Sequence, residues 1–119
     1  MELTDQPISE SKPTVAIAGA GGYVGRWFIY HFRHKYNIIA LSRKKIKDNP
    51  YPEVTWKQVE LYSISSTVEV LKGVDVAIYL VHSMNASTRL NQGSFEDTDL
   101  LLADNFSRAA HLNKVRQII

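Results

Sequence analysis

A chain of 119 residues, 45% of them hydrophobic, is long enough for one α/β core of ordinary size and too short for two. The formal charge of +2 is too small to mark a general polyanion binder, and the absence of cysteine excludes disulfides, thiolate metal sites and a cysteine nucleophile. No apolar run approaches the roughly 20 residues of a membrane span, and the polar N-terminus lacks the apolar stretch of a signal peptide. The expectation is a cytoplasmic protein with no membrane and no nucleic-acid partner.

Residues 1–12 are polar and include Pro7, so they are expected to form a flexible tail ahead of a single domain over residues 13–119. Thr14–Ala18 is a short apolar run with β-branched members, the pattern of a strand buried on both faces. From Tyr23 to Lys35 there is no proline, and Val24, Phe28 and Phe32 recur at helical spacing, which predicts a helix with those three on its inward stripe. Asn37 is placed to end it, and Ile38–Ser42 reads as the second strand. The charged stretch 43–52, with its prolines, is a loop. Thr55–Leu61 follows as a third strand, although its apolar alternation changes phase. Ser63 or Ser65 caps a short helix reaching Lys72, with Gly73 as its stop. Val74–Val81, nearly all apolar, is the fourth strand, and 83–93 has the composition of a loop. Ser94 and Asp97 resemble a capping box that opens a helix to about Asn113, with Phe95, Leu102, Phe106 and Ala110 facing inward. Val115–Ile119 begins a fifth strand.

Strands alternating with helices predict an α/β fold: a parallel sheet of order 3-2-1-4-5 with right-handed crossovers and helices on both faces, the Rossmann type. Between the first strand and the first helix, where such a sheet binds phosphate, lies Gly19-Ala20-Gly21-Gly22-Tyr23-Val24-Gly25. Gly19 lets the chain turn out of the strand, Gly22, beside Gly21, lets a diphosphate approach the backbone, and Gly25 allows close packing of the helix on the sheet. The N–H groups around Gly22, Tyr23 and Val24 then point at the anion, aided by the helix dipole. The alternative is a tight strand-to-helix turn with incidental glycines.

A Rossmann fold that prefers NAD places an acid roughly 20 residues beyond this loop, against the ribose hydroxyls. Here the second strand ends Leu41-Ser42-Arg43-Lys44-Lys45, without an acid. Arg43 can grip a 2′-phosphate in bidentate fashion, with Lys44 adding charge and Ser42 a hydroxyl, so NADP(H) is favoured and NAD is the second choice. Against this stands a solvated basic loop over 43–47. Glu60 and Leu61 close the third strand. Val81, His82 and Ser83, at the end of the fourth strand, fall beneath the ribose and diphosphate, with His82 read as a pocket wall or hydrogen-bonding residue rather than a catalyst. His31 and His34 lack a third ligand and read as surface residues, not a metal site. Trp27 and Trp56 read as packing residues, and Asp97, Asp99 and Asp104 as a solvated helix face.

The glycine spacing, G-x-x-G-x-x-G, resembles the loop of the extended and atypical short-chain dehydrogenase/reductases. The likeness extends to Tyr79-Leu80-Val81-His82-Ser83-Met84, to Phe95-Glu96-Asp97-Thr98-Asp99, to the helix segment Ala103–Ala110, and to Val115-Arg116-Gln117-Ile118-Ile119. Over roughly residues 14–119 the chain resembles the NmrA-like, NAD(P)H-binding branch of that family, which includes nucleoside-diphosphate-sugar epimerase types. The resemblance implies a dinucleotide cofactor, a place near its adenine ring for Glu60 and Leu61, a small-molecule substrate of unknown identity, and a structural role for Asn105 in positioning neighbouring backbone. It also implies a catalytic Tyr-x-x-x-Lys beyond the fifth strand; no tyrosine of this chain has a lysine four positions on, so no catalytic residue is assigned. A complete fold of this type joins two βαβαβ halves, and the signals here cover little more than one. The expectation is therefore the N-terminal portion of a longer protein, truncated in strand five and self-associating through the uncovered sheet edge. The leading expectation is the NADP(H)-binding domain of a reductase, dehydrogenase or epimerase-like protein. The alternative is a non-enzymatic NADP(H) sensor of NmrA type.

Overall fold

A computed structural model describes residues 12–81 and 92–119, apart from the side chains of 92–99. The run Thr14–Ala18 forms β1, buried along its whole length, and it is the central strand of a five-stranded sheet. Around it are α1 (Tyr23–Phe32), β2 (Asn37–Ser42), β3 (Thr55–Gln58), α2 (Ile64–Val70), β4 (Val76–Tyr79), α3 (Gln92–Leu112) and β5 (Gln117–Ile118). Every pairing is parallel and the order is β3-β2-β1-β4-β5, as the alternation of elements predicts.

Two cores follow from the period-two alternation of the strands. Val15, Ile17, Ile38, Ala40 and Ile78 meet Ile29 of α1 on one face, with Phe28 and Phe32 at the margin. On the other, Ala16, Ala18, Ile39, Leu41 and Ala77 meet Leu102, Phe106, Ala109 and Ala110 of α3. Facing residues in register, such as Ile17 with Ala40 and Ile78, keep the central strands apolar on both sides.

Several boundaries and one helix phase differ from expectation. The buried positions of α1 are Gly25 and Ile29, with Phe28 and Phe32 half-buried, while Val24 points outward and is 61% exposed. The helix is turned so that Gly25, the residue with no side chain, rests on the chain leaving β1. It ends at Phe32, where the Arg33 N–H still reaches the Ile29 carbonyl. Asn37 does not terminate the helix but opens β2: its N–H donates to the Pro13 carbonyl and its Nδ2 to that of Lys12. Strand β3 leaves the ladder at Gln58, so Glu60 and Leu61 lie beyond it, although Val59 and Leu61 remain buried in the α3-side core.

The cap of α2 is Ser63, whose Oγ accepts from the Ser66 N–H at 3.2 Å, and Gly73 takes the left-handed conformation (φ +77°) shortly after the helix ends at Val70. Strands β4 and β5 are shorter than the apolar runs that contain them, but flanking bonds extend their pairing: Asp75 N–H to Thr14, Leu80 N–H to Ala18 and Ile119 N–H to Ala77. Helix α3 starts at Gln92, ahead of Ser94; the expected tail over 1–11, the loop over 83–91, and the side chains of Ser94, Phe95, Asp97 and Asp99 lie outside the description. Among the described residues no helix is long and apolar enough to cross a membrane.

Phe106, 1% exposed, is the largest fully buried side chain among the described residues and joins α3 to the sheet, its ring 5.2 Å from that of Tyr79. Phe106→Ala is expected to cost about 3–5 kcal/mol in urea unfolding. A loss below about 1 kcal/mol would contradict this packing.

Candidate dinucleotide-binding loop

Two of the loop glycines are required by contacts that no side chain could share. Gly19 leaves β1 with φ +84°, and a Cβ there would stand 2.9 Å from the Leu80 carbonyl carbon. Gly25 sits so close to the loop that a Cβ would fall 2.7 Å from Ala20 Cα. Gly21 and Gly22 differ: a Cβ on Gly21 meets nothing within 4 Å, and one on Gly22 only the Gly19 carbonyl oxygen at 3.5 Å. The first and last glycines therefore shape the loop, and the middle pair leaves its shoulder open.

The backbone donors sort themselves accordingly. The Gly22 N–H turns inward to the Gly19 carbonyl at 3.1 Å, which removes it from the set of free donors expected from the sequence. The N–H groups of Tyr23, Val24 and Gly25 have no partner among the described residues. Gly22 occupies the N-cap position and supplies no side-chain acceptor, and the first turn of α1 contains no acid. Helix N-termini normally satisfy such donors with a capping oxygen, water or ligand. This one presents three donors and the positive end of the helix dipole to whatever lies above the loop. The Tyr23 and Val24 side chains are exposed, so their part in the site is played by backbone.

At the end of β2, Ser42 is half-buried and its Oγ accepts from the Lys44 N–H at 3.2 Å; the Arg43 carbonyl accepts from Gln58 Nε2 at 3.2 Å. The side chains of Arg43 and Lys44 are exposed. The Ala20 N–H donates to the Leu41 carbonyl at 3.4 Å, which ties the loop to this strand end. Glu60 is exposed, whereas Leu61 is a core residue at 8% exposure. The Leu61 and Tyr62 carbonyls accept from Nδ2 of buried Asn105, at 2.8 and 3.1 Å, so Asn105 fixes the chain after β3 from across the α3 layer. Val81 is half-buried against the same core, and His82 and Ser83 lie outside the described residues.

Sequence reading passed over Arg26. Its Nε donates to the Gly21 carbonyl at 2.9 Å, which brings an exposed guanidinium onto the loop. The signal was available: a long basic side chain in the first helical turn points back toward the N-terminus. Arg33, Arg108 and Arg116 are paired with Glu53, Asp104 and Asp75, whereas Arg26 and Arg43 have no acidic partner among the described residues. Among the described residues, the two arginines without an acidic partner thus belong to the glycine loop and the end of β2.

The remaining candidates stay outside this site. His31 and His34 are exposed, with His34 Nδ1 3.6 Å from Glu53 Oε2, and no metal-binding cluster occurs among the described residues. Trp27 is not a packing residue of the core; it is 52% exposed and its ring lies tilted against that of His31, 4.3 Å away, whereas Trp56 is half-buried against the α1-side core.

The chain is 31% identical over 112 residues to the auxiliary protein GraX of Staphylococcus aureus, an alignment covering 91% of this chain and 36% of that relative. The UDP-N-acetylglucosamine 4-epimerase of Bacillus cereus superimposes with a TM-score of 0.72 at 18% identity, over 90% of this chain and 34% of the epimerase. A Rossmann-fold NAD(P)-binding family protein from Shigella flexneri superimposes with a TM-score of 0.69 at 16% identity, over 89% of this chain and 49% of that protein. No family model matches the chain. The likeness to the solved structures is one of fold, and the chain spans about a third of the length of GraX and of the epimerase.

The contrast between the glycines is open to measurement. Gly25→Ala is expected to lower unfolding free energy by about 1–3 kcal/mol, whereas Gly21→Ala should stay within about 0.5 kcal/mol of the parent. Equal stabilities for the two variants would contradict the close contact of Gly25 with Ala20.

Proposed function

We propose that this domain binds a nicotinamide dinucleotide, NADP(H) in preference to NAD(H), as the cofactor-binding part of an atypical short-chain dehydrogenase/reductase or nucleotide-sugar-epimerase-like protein. The observation that carries this reading is the N-terminus of α1, which has no side-chain cap and where the Tyr23, Val24 and Gly25 N–H groups have no partner among the described residues, beside the open shoulder of Gly21 and Gly22. A diphosphate fits that cradle: it needs several backbone donors, a favourable dipole and no side chain in the way.

In this reading the loop from Gly19 to Gly25 holds the diphosphate. Arg43, which has no acidic partner among the described residues, takes the 2′-phosphate, helped by Lys44 and Ser42. Glu60 is the polar neighbour of the adenine, Leu61 contributes the apolar floor behind it, and Val81, His82 and Ser83 line the ribose and diphosphate side. The bound group would supply hydride-transfer chemistry, which the protein directs by placing and enclosing it. No residue of the chain is assigned to catalysis.

The second reading, a non-enzymatic regulator that responds to NADP(H), draws support from the description of GraX as an auxiliary protein. Both readings need the same cofactor site and differ in whether a substrate is turned over.

Titration calorimetry of the 119-residue chain is expected to give NADPH an affinity at least about tenfold above that of NADH, the worth of one charge-assisted bidentate contact. Arg43→Ala is expected to abolish the difference while leaving NADH binding in place. Equal affinities in the parent chain would overturn the NADP(H) assignment.

A further inference from the structure

Resting on the dinucleotide reading, we infer that Arg26 is a diphosphate ligand of the glycine loop, which makes α1 contribute a side-chain cation as well as its backbone donors. An arginine has five N–H donors in a rigid planar fork. One of them, on Nε, is committed to the Gly21 carbonyl at 2.9 Å. That bond ties the side chain to the Gly21 carbonyl, which precedes the N-cap Gly22 and takes no bond from the Gly25 N–H, one of the first-turn donors that a helix leaves without an internal acceptor. It also fixes the plane of the guanidinium on the loop shoulder, where Gly21 offers no obstruction within 4 Å.

The terminal amino groups of Arg26 have no carboxylate to satisfy them among the described residues, unlike those of Arg33, Arg108 and Arg116. An exposed arginine with its Nε anchored, next to three backbone N–H groups, and with neither its terminal groups nor those N–H groups partnered among the described residues, matches an anion with several oxygens. The diphosphate bridge is such an anion and is common to NADPH, NADH and ADP. Arg26 therefore sets overall affinity for these three ligands, whereas discrimination between NADPH and NADH belongs to Arg43.

The test is calorimetric titration of the full chain and its Arg26→Gln and Arg26→Lys variants with NADPH, NADH and ADP, with thermal unfolding as the check on folding. Glutamine retains a donor for the Gly21 carbonyl but no charge; lysine retains the charge but not the fork. Arg26→Gln is expected to weaken all three ligands by a similar factor, about tenfold or more, with the NADPH to NADH ratio and the melting temperature unchanged. Arg26→Lys should recover part of the loss. Parent-like affinity in Arg26→Gln, a loss confined to NADPH, or a lysine variant no better than glutamine would overturn the assignment of Arg26 alone. Failure of the parent chain to bind any of the three would instead remove the dinucleotide reading on which it rests.

Discussion

The geometry of the site depends on one close approach, that of Gly25 in α1 to Ala20 in the loop, where even a methyl group would stand 2.7 Å from Ala20 Cα. This contact sets how α1 lies on the sheet. With the helix pressed down at Gly25, Ile29 one turn later enters the core beside Ile17 and Ile78, and Val24 is turned outward. The same placement brings the first helical turn over the exit from β1, beside the open shoulder of the loop, with N–H groups that have no partner among the described residues. A larger residue at position 25 would lift the helix and spoil both the packing below and the donor array above.

The carboxyl edge of the sheet is held from more than one direction. The Ala20 N–H ties the loop to Leu41 at the end of β2, and Gln58 ties β3 to the Arg43 carbonyl. From the opposite layer, Asn105 reaches the carbonyls of Leu61 and Tyr62. A buried amide that satisfies two carbonyls is costly to lose, because its removal leaves the buried Leu61 acceptor without this partner inside the core. Side chains that could bind a ligand, Arg26 and Arg43 above all, are thus mounted on backbone fixed by other groups. Acids pair with Arg33, Arg108 and Arg116, so among the described residues the arginines without an acidic partner, Arg26 and Arg43, lie at the loop and the adjoining strand end.

Much of the fold was legible in the residues because the central strands are buried on both faces and so appear as unbroken apolar runs: Thr14–Ala18 was read to the residue, and the order of the sheet followed from alternation. The phase of α1 was not legible from hydrophobic spacing, since Val24, Phe28 and Phe32 form a plausible stripe and the actual one is led by a glycine, which carries no hydrophobic signal. Strand ends were overestimated at β3, β4 and β5 because apolar residues such as Val59 and Leu61 after β3 and Val74 before β4 are buried in the core outside the strands themselves. Spacing identified the loop, yet could not reveal that Gly22 spends its N–H on Gly19, a matter of local dihedrals. Asn105 was recognised through family resemblance alone, its partners lying more than 40 positions away in the sequence.

The central claim, that backbone amides at the start of α1 receive the diphosphate, can be observed amide by amide. Titrating ¹⁵N-labelled protein with NADPH and following amide chemical shifts is expected to move Gly21, Tyr23, Val24, Gly25 and Arg26 most strongly, together with Ser42 to Lys44, and to leave the Asp75 and Arg116 end of the sheet unchanged. Shifts that spare the Tyr23, Val24 and Gly25 amides while NADPH binds would contradict the account.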